Sequence, residues 1–167
     1  MNATVAQLTA RSLLGRRRAL MLLVLPAILL LFSFLIRAFA DADAGASAGV
    51  LSGFALGTVV PLLALVAGTG AIGPEIDDGS VVYLLAKPLR RSSIILSKLA
   101  VSVAVVTAVA AVPTLLAGLV LSGTAGGLAL AYGVGAFVAG IAYCALFLLL
   151  AVLTRNAVVV GLLYALI

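Results

Sequence analysis

Apolar residues run almost unbroken through four long stretches, about Ala19 to Phe39, Leu51 to Ile72, Leu99 to Leu121 and Leu128 to Leu153. Each reaches the roughly 20 residues that a helix needs to cross the hydrocarbon layer of a bilayer. A fifth run opens at Ala157 and has only eleven residues through Ile167, too few to span, so the pattern predicts that the chain stops inside a helix and is a fragment. The expected fold is therefore all-α, a polytopic α-helical membrane protein with four full spans and a truncated fifth. The connections Ala40 to Val50 and Ser122 to Gly127 are short and rich in Gly, Ala, Ser and Asp, and neither can form a domain of its own. One interruption differs. Residues 73–98, GPEIDDGSVVYLLAKPLRRSSIILSK, hold three of the five carboxylates and four of the ten basic residues.

Composition agrees with the pattern. With 65% hydrophobic residues, 9% charged residues and a mean hydropathy of +1.39, the chain lies far outside the balance of a soluble domain. Its net charge of +5 is explained by topology rather than by nucleic acid, because the basic residues cluster beside the apolar runs. With a cytoplasmic N-terminus, the inner side receives Arg11, Arg16, Arg17, Arg18, Lys87, Arg90, Arg91, Lys98 and Arg155, and the outer side only Arg37. The positive-inside bias thus predicts an N-terminus in the cytoplasm and a loop 73–98 on the same side. The expected location is the inner (plasma) membrane.

Residues 1–18 precede the first run. Thr4, Gln7, Arg11, Gly15 and Arg18 recur at helical spacing, with Ala3, Ala6, Ala10 and Leu13 on a different face, which predicts a short helix lying on the inner membrane surface; a solvated basic tail is the plainer alternative. The triple Arg16 to Arg18, the apolar run and Ala38-Phe39-Ala40 also have the outline of a cleavable signal peptide. The run is too long for that, and further spans follow, so it reads as an uncleaved anchor. The domain reading is an interfacial helix over 1–18 and a transmembrane domain over 19–167.

Candidate chemistry is sparse. There is no histidine, and Cys144, the single cysteine, lies within an apolar run, where a packing role is simplest. No GxxxxGK[ST] or HExxH motif occurs, and without histidine a Ser–His nucleophile cannot be built, so no cofactor is expected, and neither an ATPase site nor an intramembrane hydrolase is expected in this chain. The middle of each run lacks ionisable residues, which disfavours an ion or proton pathway. Ser33, Thr58, Thr107, Thr114, Tyr132 and Tyr143 could contact a substrate, or the hydroxyls could simply bond their own helix backbone. Gly53 and Gly57, with Gly68, Gly70, Gly73, Gly133, Gly135 and Gly140, provide small surfaces for close helix packing. Pro26, Pro61 and Pro113 each remove a backbone donor within a run and read as tolerated kinks.

The loop carries the functional signal. Pro74 suits the first turn of a helix, and Glu75, Asp77 and Asp78 fall in that turn, where the helix dipole favours carboxylates. A short helix running past Tyr83 to Ala86 follows, with more apolar residues than a solvated loop needs, until Lys87-Pro88 breaks it. Arg90 to Ser93 turn the chain back, and Lys98 is placed to snorkel to the headgroups. Capping and ion pairing with Arg90 or Arg91 are the plain alternative for the acids.

These residues resemble the membrane subunits of ABC transporters of the type 2 exporter class. That family has, after its second span, a Glu, an acid two positions on, Gly-Thr, then a Pro followed by Arg three later and Lys seven after that. Glu75, Asp77, Gly79-Ser80, Pro88, Arg91 and Lys98 stand at those spacings, with Asp77 and Ser80 replacing Glu and Thr. The resemblance implies a six-span permease working as a homodimer or heterodimer with a second permease subunit. Each half would bind a cytoplasmic ABC ATPase subunit. It also implies a coupling helix at Glu75 to Leu85, including Asp78 and Tyr83, with Arg91 and Lys98 bracing the return to the membrane. The alternative is a non-transporting membrane scaffold that recruits a soluble partner through the same loop.

Overall fold

The computed structural model describes residues 16–39, 44–73, 91–123, 126–154 and 156–166. Among these, the chain is helical throughout, with no strand. Helix α1 is Arg16–Phe39. Helix α2 covers 44–70, with α-helical ends Ala44–Gly49 and Val60–Gly70 and a π-helical middle Val50–Val59. Helix α3 covers 91–122, with π-helical Thr107–Ala111 between Arg91–Val106 and Val112–Ser122. Helices α4, Gly126–Leu153, and α5, Ala157–Leu166, complete the described chain. The proposed surface helix over 1–18 lies outside the described residues except for its last three, which open α1.

Four helices are long and apolar enough to cross a membrane: Leu22–Phe39, Gly45–Gly70, Ser92–Ser122 and Gly126–Leu153. The expected spans are all present, but the second starts about one and a half turns earlier than its hydropathy suggests, and the third about two turns earlier. Ala, Gly and Ser at 44–49 and Arg-Ser-Ser at 91–93 lower local hydropathy without stopping a helix already under way. At 31 residues, the third span is about 46 Å long, well beyond the ~30 Å apolar layer, so at least one of its ends must reach the interface.

Each helix turns one stripe inward. In α1, Leu22, Pro26, Leu29 and Ser33 are buried at spacings of four, three and four, while Leu23, Leu31, Phe34 and other large apolar residues face away, on the side a bilayer would contact. In α4 the buried stripe runs through Ala129, Gly133, Ala136, Gly140 and Cys144, all small, and ends in Phe147, Leu148 and Ala151. Between helices surrounded by lipid tails, burying apolar area gains little, so van der Waals contact at close range must supply the stability. The small stripe permits that contact with both α2 and α3.

Some glycines mark where the backbones meet. A Cβ on Gly118 of α3 would lie 2.8 Å from the Cα of Ala129 in α4, and one on Gly68 of α2 would lie 2.9 Å from the Cβ of Phe147. Gly133 and Gly140 face Leu115 and Val106 of α3 at 3.0 and 3.1 Å on the same construction. Gly53 behaves differently from the expectation, because nothing from another helix lies within 4 Å of its Cβ position, and Gly57 meets only its own helix's Ser52 carbonyl. This pair sits on the outer face of α2 and does not mediate packing within the described chain.

Two of the three span prolines are accommodated in the same way. Pro61 and Pro113 both stand second in an α-helical segment that follows a π-helical one, and the residues just before them, Val60 and Val112, donate to Ala55 and Thr107, five positions back. Proline in an α-helix crowds the carbonyl four positions earlier and supplies no donor. The wider π turn relieves that crowding upstream of each ring. Pro26 sits inside α1 with no such segment.

At the C-terminal end of α3, Gly123 adopts φ +59° and ψ −107°, a conformation closed to other residues, and the Arg37 guanidinium of α1 lies against it. Arg37 is thereby placed at the negative end of the α3 dipole. Gly123→Ala is expected to cost about 1–3 kcal/mol of stability. Thermal unfolding in detergent, with Ser122→Ala as the comparison, measures this.

Candidate functional site

The loop is entered from α2 and left through α3, and the described residues define both of its roots. Helix α2 ends at Gly70, and Ala71 continues in a helical conformation with its N–H donating 3.1 Å to Ala67 O. Beyond this last turn, the α2 carbonyls have no helical N–H to accept and carry the negative end of the dipole. One of them is met by a lysine from the neighbouring helix. Lys98 Nζ donates to Ala71 O at 2.6 Å.

Lys98 is 1% exposed. The expected snorkelling to headgroups is therefore corrected: the third span begins before Lys98, and its side chain turns inward to the end of α2. An amine removed from solvent costs several kcal/mol unless a polar partner receives it. A carbonyl at a helix C-terminus is such a partner, and the short distance is that of a charge-assisted bond. One turn further into the membrane, Ser102 Oγ donates to Ala67 O at 3.3 Å. Lys98 and Ser102 are four apart on α3, Ala71 and Ala67 four apart on α2, so two polar contacts join these antiparallel helices at successive turns.

Buried Ser97 and Thr69 complete a small polar layer at this level, and each hydroxyl also bonds within its own helix, to Ser93 O at 2.8 Å and Leu65 O at 2.6 Å. Apolar residues seal the layer. Ala71 and Ile72 pack with Leu148 and Ala151 of α4 and Ala157 of α5.

Of the loop residues singled out in the sequence, Glu75, Asp77, Asp78, Gly79, Ser80, Tyr83 and Pro88 lie outside the described residues. Arg91 opens α3, and Lys98 joins the two roots. Sequence reasoning missed Ser102 and the two acceptor carbonyls. The available signal was the i, i+4 spacing of Lys98 and Ser102 on one helical face.

The serine and threonines singled out in the sequence as possible substrate contacts are turned on their own helices. Ser33, Thr107 and Thr114 each donate 2.8 Å to the carbonyl four positions back, and Thr58 reaches Gly53 O, five back, at 3.4 Å in the π-helical segment. The Tyr143 ring stacks on Phe147 at 5.9 Å between centroids, and Tyr164 meets both rings edge-on. Among the described residues no group of three or more His, Cys, Asp or Glu side chains could hold a metal.

Residues 53–167, which include the second half of α2, the loop, both roots and all of α3 to α5, match the family described as ABC-2 family transporter protein. No curated protein and no solved structure matches the chain. A multi-pass helical architecture and a family match over more than half of the sequence agree: the chain belongs to the ABC-2 transporter family and is a permease-type membrane transport subunit.

Proposed function

We propose that the chain is the membrane-spanning half of an ATP-driven exporter and that the loop 73–98 couples it to a separate cytoplasmic ATPase subunit. The observation that carries this reading is the family match, which runs unbroken through the loop and the two helices that bracket it. The segment Glu75 to Leu85 docks on the nucleotide-binding domain, with Asp77, Asp78, Gly79, Ser80 and Tyr83 in the contact and Pro88 ending it. A second permease subunit, identical or homologous, completes the pathway. The N-terminus and the loop face the cytoplasm of the inner membrane, as the nine-to-one distribution of basic residues favours.

Coupling requires that the loop contact the two nucleotide states of the ATPase differently, since a partner that binds both equally shifts nothing. Closure of the ATPase then displaces the loop, and α2 and α3 carry the displacement into the membrane. Co-purification of the full-length protein with the ATPase encoded beside its gene tests the docking. Wild type is expected to retain the ATPase and Gly79→Pro to lose it, with both inserting equally. An ATPase that remains bound to Gly79→Pro contradicts the docking assignment, and binding that ignores nucleotide favours a recruiting scaffold.

A further inference from the structure

Building on the permease reading, we infer that Lys98, assisted by Ser102, is a positioning residue that fastens the inner ends of α2 and α3 into one lever, so that the loop works from two anchor points of fixed separation. Three observations converge on it. The Lys98 amine is buried and donates 2.6 Å to Ala71 O, across the gap between the helices that enter and leave the loop. Ser102 repeats the link one turn deeper, to Ala67 O. Both acceptors are backbone atoms in the last turns of α2, so each contact grips the helix frame rather than a side chain that could swing away.

A single contact would leave the helices free to pivot about it. Two, a helical turn apart, fix both the axial register and the splay of the pair. The bond at Ala71 also satisfies a carbonyl that the helix itself leaves open, which gives the lysine a reason to stay inward. A push on the loop from below therefore moves both roots together, whereas unfastened helices would absorb it by separating. Lys98 acts on the partner through this geometry.

The test uses full-length protein with its ATPase in nanodiscs, Cys144→Ser as the background, and spin labels at Gly73→Cys and Ser92→Cys. Among the described residues no atom lies within 4 Å of the Gly73 Cβ position, and Ser92 is exposed, so both accept a label. The fastened hairpin gives one narrow label distance, unchanged between the nucleotide-free state and the ATP state trapped with vanadate. Lys98→Met keeps the stem volume but removes the donor. It is expected to broaden the distribution and to lower permease-stimulated ATP hydrolysis about tenfold, with ATPase binding retained. Ser102→Ala removes one contact without altering charge and is expected to broaden it less. A wild-type distance that switches with nucleotide, or variants with wild-type distributions, overturns the proposal. Failure of any ATPase to associate instead overturns the permease reading, while the nucleotide-free distributions still decide whether Lys98 fastens the pair.

Discussion

Gly118→Leu is expected to prevent α3 from seating on α4, with loss of folded protein from the membrane. The Cβ alone would lie 2.8 Å from the Ala129 Cα and 2.9 Å from its Cβ, and Leu51 lies 3.6 Å away on another side. A backbone atom cannot rotate out of the way, so the helices must part. Forced overpacking of this kind costs up to ~3 kcal/mol and sometimes more. The loss spreads, because the contacts of Gly133 with Leu115 and Gly140 with Val106 lie along the same helix pair. Gly53→Leu is the matched control, since no described residue of another helix lies within 4 Å of that position and a helix gains from losing glycine. Monodisperse yield in mild detergent and thermal unfolding distinguish the two. Equal behaviour of both variants would mean that α3 and α4 do not meet at Gly118.

Glu75→Ala is expected to uncouple the two subunits without disturbing the membrane domain. In the proposed contact the carboxylate is desolvated against the ATPase, and truncating one partner of such a charged contact costs about 2–5 kcal/mol. Affinity for the ATPase should fall at least ~30-fold by that measure. Permease-stimulated ATP hydrolysis should fall with it, while insertion and unfolding temperature stay at wild-type values. Glu75→Gln separates charge from shape: it is expected to be impaired nearly as strongly if the carboxylate is the recognised group. Wild-type affinity in both variants would leave Glu75 as a helix-capping residue alone.

The helical membrane architecture was legible because twenty or more apolar residues in succession admit few other solutions. Span ends were less legible, as Ala44–Gly49 and Ser92 onward show, because hydropathy marks the lipid layer whereas helices continue through the interface. Glycine positions told only that close packing was available. Gly68 and Gly118 are used and Gly53 is not, a distinction set by which face of each helix meets a neighbour. The π-helical segments before Pro61 and Pro113 had no signal beyond the prolines themselves, and Pro26 shows that proline alone does not demand one.

Lys98 is the most instructive case. A lysine near the end of an apolar run ordinarily reaches for headgroups, and its stem is long enough to do so. Its actual direction depends on the end of another helix, 27 residues earlier in the chain, presenting an open carbonyl at the same depth. That juxtaposition follows from how α2 and α3 pack. The family pattern marked Lys98 as important, and the structure supplies the contact that the pattern lacked.

Photo-crosslinking from the loop in inverted membrane vesicles addresses the central claim most directly, with p-benzoylphenylalanine at Tyr83 in one preparation and at Ala46, at the opposite end of α2, in another. The account predicts that the Tyr83 probe captures the ATPase subunit, that addition of ATP and vanadate changes the yield, and that the Ala46 probe captures none. Absence of an ATPase adduct from Tyr83, or equal capture from both positions, would contradict it.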